Sequence, residues 1–448
     1  MKNTNPLPPT GCAVAILLIV LTMNSCAGLG FTFRSLTRSS SDYDALDDER
    51  ARGAASPDSI RAETPAAYWT QYRGPVGDGE YDEAGVDLTW TAVAPRRLWS
   101  AAVGPAYSSV VVAGGLVVTM EQRREREAVV AFDLEDGTVV WEHAWPGRFY
   151  NALSKEGPRA TPAIQDGLVV ALGAEGELRC VALETGDLRW RRSLLDGSDA
   201  NLNFGIAASP RILGDAVIAQ GADHVAAFEL ATGELRWRAL SETMAYSTPQ
   251  FGELLGETHV VVCAKKRIVG LDPSTGAELW SFPWKFLGDT CTQPLVLSPD
   301  RVLASSGHGK GAQLVRLVDG EEGLATEVLW RSRRFKTRYN EPVQSGRFAY
   351  GLDEGMLACL DVETGERVWK EGRYGYGQLL LIGERLLVVD EDGDVHVLRL
   401  GDAGPSEELC FEGVDGGMTL NVPALAHGRL FVRNERELVA FDLRGPER

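Results

Sequence analysis

Ala131-Phe132-Asp133-Leu134-Glu135-Asp136-Gly137-Thr138-Val139-Val140-Trp141 is one copy of a pattern that recurs along most of the chain. Further copies run from Cys180 to Trp190, Ala227 to Trp237, Gly270 to Trp280 and Cys359 to Trp369. Aligned on the final Trp, the position four before it is always Gly (Gly137, Gly186, Gly233, Gly276, Gly365), preceded by Thr in four copies and by Asp136 in the other. This is turn chemistry: glycine enters positive φ without steric cost, so the pair joins two short antiparallel strands. Ten before the Trp stands a small residue (Ala131, Cys180, Ala227, Gly270, Cys359), as expected where a neighbouring sheet must come close. Eight before it an acid is usual (Asp133, Glu229, Asp272, Asp361, with Ala182 departing), placed to accept hydrogen bonds from turn amides.

A second column fixes the number of units. Each opens with a polar residue and Pro before an apolar run: Thr161-Pro162, Ser209-Pro210, Thr248-Pro249, Gln293-Pro294, Glu341-Pro342 and, with an apolar first residue, Val422-Pro423. Ser109-Val110 and Gln378-Leu379 are copies without the Pro, which makes eight units. Trp99, Trp141, Trp190, Trp237, Trp280, Trp330 and Trp369 follow one another at intervals of 39 to 50 residues, the length of four short strands with their turns. The expected fold is all-β, an eight-bladed β-propeller of four-stranded blades in which these Trp residues dock blade to blade. Arg97–Ala101 reads as the last strand of a unit that has no earlier strands, and Leu438–Leu443 repeats the first half of the motif with Ala440 in the small column. Pairing the N-terminal strand with the C-terminal strands would close the ring and leave no free sheet edge. Two units are degenerate. Leu314 to Trp330 has the longer turn Asp319–Gly323, and Val397 to Phe411 is expected to use Phe411 in place of Trp.

Composition bounds the function. The chain has 448 residues and a formal net charge of −18, which argues against nucleic acid as a partner. Residues 1–25 carry Lys2 and the apolar run Ala13–Leu21, an export signal too short for an ordinary membrane span. Ser25-Cys26-Ala27 resembles a bacterial lipoprotein cleavage junction, with Met23 where Leu is usual. On that resemblance Cys26 becomes a lipidated N-terminus, and Ala27 in place of Asp fits the outer-membrane pattern. A plain secretory signal is the alternative. Residues 26–67 hold few large apolar side chains and are expected to form a flexible lipid-anchored linker of roughly 40 residues, reaching about 35 Å. Trp69-Thr70-Gln71-Tyr72-Arg73-Gly74-Pro75 opens the propeller domain, 68–448.

Cys12 lies in the signal, leaving Cys180, Cys263, Cys291, Cys359 and Cys410 beyond Cys26. Buried, unpaired thiols are the favoured reading, and a Cys263–Cys291 disulfide between neighbouring units is the alternative. There is no Cys-x-x-Cys, and His143, His224, His259, His308, His396 and His427 are scattered, so no metal site is expected.

The run Ala-x-Asp-x-x-Thr-Gly-x-x-x-Trp around eight units resembles the pyrroloquinoline quinone (PQQ) type propeller repeat. That family includes the quinoprotein alcohol and glucose dehydrogenases and the periplasmic lipoprotein of the outer-membrane β-barrel assembly machinery. The resemblance covers about residues 69 to 443 and implies the fold, because the motif residues dock blades rather than bind cofactor. Quinoprotein dehydrogenases of this type hold PQQ and Ca²⁺ in a central cavity, use an Asp base and commonly have an adjacent Cys-Cys pair. This chain has no Cys-Cys and no heme-attachment Cys-x-x-Cys-His. Its blades are short, with little inserted sequence, which resembles the assembly lipoprotein. The expectation is a non-enzymatic binding or scaffold module in the bacterial envelope that uses no cofactor and works as a monomer or within a hetero-complex. A PQQ-dependent dehydrogenase and a polysaccharide- or peptide-binding propeller are the alternatives.

If a ligand binds, the propeller indicates where. Residues at the start of each innermost strand converge on the central channel, and three before the Pro column stand Tyr107, Arg159, Tyr246, Tyr339 and Tyr376, with Ala207, Cys291 and Leu420. One before it, pointing the same way, are Gln293, Glu341 and Gln378, with Asn340 adjacent to Glu341. Tyr rings with Arg159 suit a planar anion, and Asn340 and Glu341 offer oxygens to Ca²⁺. The favoured reading is that the aromatics plug the channel mouth.

Overall fold

Short runs of β-branched and aromatic residues between glycine turns form strands, and among the described residues these assemble into eight blade sheets, seven of four strands and one of five, with a small two-stranded sheet of Tyr150–Asn151 and Lys155–Glu156 beside them. The computed structural model describes residues 40–53, 68–82, 93–195, 201–285, 289–297, 299–321, 323–401 and 404–444. Blade 1 runs from the innermost strand outward as Val111–Ala113, Leu116–Arg123, Arg126–Asp133 and Val139–Pro146, each antiparallel to the next. Blades 2 to 7 repeat this order from inner strands Ala163–Gln165, Arg211–Leu213, Gln250–Leu254, Leu295–Leu297, Val343–Ser345 and Gln378–Ile382. Blade 8 takes Ala424–Ala426, Arg429–Arg433 and Glu437–Asp442 from the C-terminal end and Arg96–Ala102 from the N-terminal side. Trp99 sits opposite Ala440 in that closing ladder, and Arg96–Asp442 at 3.2 Å and Arg97–Glu437 at 2.8 Å reinforce it. The eight-bladed ring is thus closed as the repeat count requires.

The core lies between the blades. Middle strands such as Val260–Val261–Val262–Cys263 are buried at every position because both of their faces meet a neighbouring sheet, whereas outer strands such as Leu188–Ser193 bury chiefly their Trp. Each fully buried Val or Leu adds about 1.5–3 kcal/mol, so apolar burial between sheets dominates the stability.

The repeat residues make the seams. Indole Nε1 of Trp99, Trp141, Trp190, Trp237 and Trp330 donates to the backbone carbonyl of Leu134, Leu183, Leu230, Pro273 and Val362 in the next blade, at 2.8–3.0 Å. The same indoles lie on the turn glycines Gly137, Gly186, Gly233, Gly276 and Gly365. These have φ of 67–74°, and a Cβ on any of them would meet the ring at 2.5–2.7 Å. Glycine is therefore needed twice over, for the backbone conformation and for the approach of the Trp. Each small-column residue is the ladder partner of its own blade's Trp, as in Ala131↔Trp141 and Cys180↔Trp190, which leaves room for the indole. Asp133, Asp272 and Asp361 cap their turn amides as expected, whereas Glu229 pairs with Arg236.

Several expectations are corrected. Trp280 does not dock on the next blade: Gly270 opposite it lets the indole turn inward to His259 Nδ1 at 3.0 Å, where it stacks on Phe282. Trp369 is buried, but among the described residues its indole has no hydrogen-bond acceptor. Both Trp residues precede a degenerate blade that lacks the Thr-Gly turn. In blade 7 the bulge after Val397 places Leu409, not Phe411, opposite the small column. Phe411 instead packs edge-on against Phe441 of blade 8 at 5.3 Å.

The stretch read as a structureless linker contains a helix, α1 (Ser40–Gly53). Tyr43, Leu46, Asp47 and Arg50 share one face at helical spacing. Tyr43 and Leu46 are buried, Asp47 pairs with Arg123 and Arg124 of blade 1, and Arg50 meets the fully buried Glu121 at 2.7 Å. Charge complementarity with blade 1 supplies what the low hydrophobicity of this stretch does not. Residues 1–39, including Cys26, and 54–67 lie outside the described residues.

Candidate functional site: the central channel and its two ends

The innermost strands start at one end of the channel, and there the predicted aromatics gather. Tyr107 of blade 1 feels Tyr339 of the non-adjacent blade 6, and Arg159 feels both Tyr107 and Tyr246, so these side chains converge on the axis. The Arg159 guanidinium lies over the Phe149 ring at 4.4 Å and the Tyr107 ring at 5.8 Å. It donates to Ser154 Oγ at 2.8 Å and to the carbonyls of Ser154, Lys155 and Gly157. Among the described residues no carboxylate pairs with it, and burial pulls it down to about 10. Burial likewise pushes Tyr107 and Tyr246 up to about 12. Tyr339 and Tyr376 meet edge to face at 5.1 Å, and Arg338 covers both rings and donates to Tyr376 Oη at 2.9 Å. Arg338 was not among the expected site residues. It neighbours Tyr339 in sequence, and only the fold shows that it points into the same cluster.

Below this mouth the polar column before each Pro forms a belt. The amide of Ser109 donates to Thr161 Oγ1, that of Thr161 to Ser209 Oγ and that of Ser209 to Thr248 Oγ1, each at 2.9 Å. Gln293 Nε2 continues to the Thr248 carbonyl at 3.3 Å, and Gln378 Nε2 donates to the Tyr339 carbonyl at 2.6 Å. Asn340 turns away from the axis and brackets Leu352, accepting from its amide at 2.9 Å and donating to its carbonyl at 3.2 Å. Except for Asn340, which holds the second strand of its own blade, these polar side chains tie one unit to its neighbour.

The opposite end is closed by the chain itself. Residues Trp69–Tyr81 cross it: the carbonyls of Trp69 and Thr70 accept from Val112 and Ile164 at 2.8 Å, and Gln71 Oε1 accepts from the Ile212 amide at 2.8 Å. Tyr72 Oη donates to Glu341 at 3.0 Å, and Arg73 reaches the Pro342 carbonyl at 3.4 Å. Glu80–Tyr81 then adds a fifth, parallel strand to blade 7 beside Leu381–Ile382. Burial raises the Glu341 pKa, with Arg73 opposing. Arg211, fully buried, clamps this segment through Gln71 Oε1 at 3.2 Å and the Val76 carbonyl at 3.0 Å. Sequence reading missed Arg211; a charged residue directly after Pro210, at a position that is apolar in most units, was the available signal.

Residues 87–218 and 125–371 match the family model described as outer membrane protein assembly factor BamB. The chain belongs to this family. The BamB of Burkholderia pseudomallei (strain K96243) is 22% identical over 319 residues, covering 68% of this chain and 77% of that protein. Among solved structures, BamB from Moraxella catarrhalis superposes with a TM-score of 0.58 at 19% identity, over 80% of this chain and all of that one. The quinohemoprotein alcohol dehydrogenase of Comamonas testosteroni gives 0.60 at 13% identity, over 91% and 85%. Both structural likenesses speak for the PQQ-like propeller fold.

Proposed function

We propose that this BamB-family chain is a non-enzymatic scaffold in the bacterial envelope, anchored to the outer membrane through lipidated Cys26 and presenting its propeller to partners in outer-membrane protein assembly. The observation that carries the reading is the state of the channel. Most of the groups a quinone and Ca²⁺ would need are engaged within the chain: Asn340 with Leu352, Gln378 with Tyr339, Arg159 with three carbonyls and Glu341 Oε1 with Tyr72, which leaves Glu341 Oε2 and Gln293 Oε1 buried without a hydrogen-bond partner. Trp69–Tyr81 occupies the far end. A dication needs several free oxygens, and a tricarboxylate needs free forked donors. Two unpartnered oxygens fall short of such a shell, and the residues present do not fit PQQ with Ca²⁺. Family membership and the B. pseudomallei relative support an assembly role.

Crosslinking in the native organism, followed by purification of the full chain, should recover subunits that assemble outer-membrane barrels. Cys26→Ala should shift the protein from the membrane pellet to the soluble exported fraction. PQQ with Ca²⁺ at millimolar concentration should leave the melting temperature unchanged. A quinone-dependent rise that Arg159→Ala abolishes would replace the scaffold with a dehydrogenase.

A further inference from the structure

On the rim of blade 7, far along the chain from any channel residue of blades 1 to 6, the outermost hairpin assembles a different set of groups. The ladder sets His396 directly opposite Cys410, and the bulge after Val397 brings Glu407 level with Leu398, two residues further along the strand. One ligand atom each from His396, Glu407 and Cys410 lies within 4.8 Å of the others. The two imidazole nitrogens have different neighbours. Nδ1 faces Glu407 Oε2 at 2.8 Å, and Nε2 faces Asp390 Oδ2 at 3.2 Å. Asp390 is itself fixed, because its Oδ1 accepts from the amides of Asp392, Gly393 and Asp394 at 2.9–3.0 Å. Tyr374 stands edge-on to the imidazole, 5.0 Å between centroids and 76° between planes, which sets the ring's orientation. A histidine that ligates a metal is held in this manner: one nitrogen on the ion and the other N–H on a carboxylate that fixes the tautomer and raises the basicity.

We infer that His396 Nδ1, Glu407 and Cys410 form a surface site for a zinc-type divalent cation, with Asp390 as the positioning carboxylate behind the histidine. The donor set selects the class of ion. Nitrogen, carboxylate oxygen and thiolate sulfur together suit Zn²⁺, whereas Ca²⁺ and Mg²⁺ take oxygen alone. The charges balance: on binding, the Nδ1 proton and the thiol proton leave to solvent, and one carboxylate and one thiolate neutralise the dication. Tetrahedral zinc places its ligand atoms about 3.3–3.8 Å apart. By side-chain rotation the exposed Cys410 can close to that spacing, and the exposed Glu407, now 2.8 Å from Nδ1, can open to it while Asp390 and Tyr374 hold the ring still. The fourth position opens to solvent, where water or a donor from another molecule completes the shell.

The test uses the purified full chain, stripped with EDTA and desalted, with Co²⁺ as the first probe and Zn²⁺ as competitor. One equivalent of Co²⁺ should produce a thiolate-to-cobalt charge-transfer band together with tetrahedral visible bands, all displaced by one equivalent of Zn²⁺. Cys410→Ser should abolish the charge-transfer band, and Cys291→Ser, at the other partly accessible thiol among the described residues, should leave it intact. His396→Gln should weaken Zn²⁺ binding at least about tenfold, and Asp390→Asn by about 10–100-fold with the band retained. Thermal melts check that each variant is folded, and the rim position of Cys410 makes Cys410→Ser the informative variant. No band at stoichiometric cobalt, or a band of equal intensity in Cys410→Ser, overturns the site.

Discussion

Five seams of the ring and two others are built from the same Trp by different means. Where the following blade has the Thr-Gly or Asp-Gly turn, the indole donates to a carbonyl and lies flat on the glycine, as with Trp141 on Leu183 and Gly186. Where it does not, Trp280 turns back into its own blade and Trp369 relies on packing against Tyr350. The repeat is therefore a two-part lock whose halves lie in consecutive units. Losing the turn in one blade disarms the Trp of the blade before it. Blade 5 compensates with a longer outer hairpin, Gly311–Gly320 and Gly323–Ser332, whose Thr326 hydroxyl donates to the Ser281 carbonyl beside Trp280 at 3.3 Å.

The comparison can be broken most severely at the closing blade. Truncation before Leu438 removes the ladder partner of Trp99 and exposes the edges of two strands, so the truncated protein should aggregate or fail to melt cooperatively. An unchanged melting curve would place the seam elsewhere. Next, Trp141→Ala should destabilise by about 3–5 kcal/mol in denaturant titration, with Trp369→Ala at the low end of that range because no hydrogen bond is lost there. Replacement by Phe sharpens the contrast further. Trp237→Phe strands the Pro273 carbonyl and should cost about 1–3 kcal/mol, more than Trp369→Phe at an undocked seam. Equal losses would show that the indole bond contributes nothing.

The smallest effect is one of pH. Glu127, on the third strand of blade 1, joins blades 1 and 2 across a docked seam by accepting from the Ala174 amide at 2.9 Å. Burial pushes its carboxyl up from 4.5 to about 7. Between those values the folded chain holds a proton that the unfolded chain has released, so this group's contribution to stability falls as pH rises from about 4.5 to 7. Glu127→Gln should therefore flatten the pH dependence of the melting temperature relative to the parent across that interval. Parallel profiles would mean that the carboxyl titrates normally.

How much of this was legible in the sequence follows from how local each interaction is. The Gly turns, the Asp caps and the Trp column do the same short-range job in each unit, so repetition reveals them. Leu409 was hidden because the blade 7 loop is two residues longer than the repeat, and aromatic character favoured Phe411 at the wrong ladder position. The grip of Arg211 on Gln71 spans 140 positions and leaves no periodic trace. Spacing brings the Tyr residues and Arg159 of different units together at one end of the channel, but it does not give their partners, which for Gln293 and Gln378 lie on neighbouring units 45 and 39 residues away at Thr248 and Tyr339. The linker region misled for the opposite reason: its helix binds through charges on blade 1, which hydrophobicity does not register.

The closing ladder also has a history in time. Strand Arg96–Ala102 leaves the ribosome, and crosses any membrane, hundreds of residues before Glu437–Asp442 exists to pair with it. Trp69–Tyr81 is earlier still, and its partners include Ile212, Glu341 and Leu381. The first-made part of the propeller is thus the last to find its place, and contacts so distant in sequence form slowly. During that wait an open strand edge and a loose aromatic segment are presented to whatever surrounds the nascent chain. Ring closure is then a timing problem as much as a packing one, and a holdase chaperone that shields residues 69–81 and 96–102 would raise the yield of folded protein without altering its final stability.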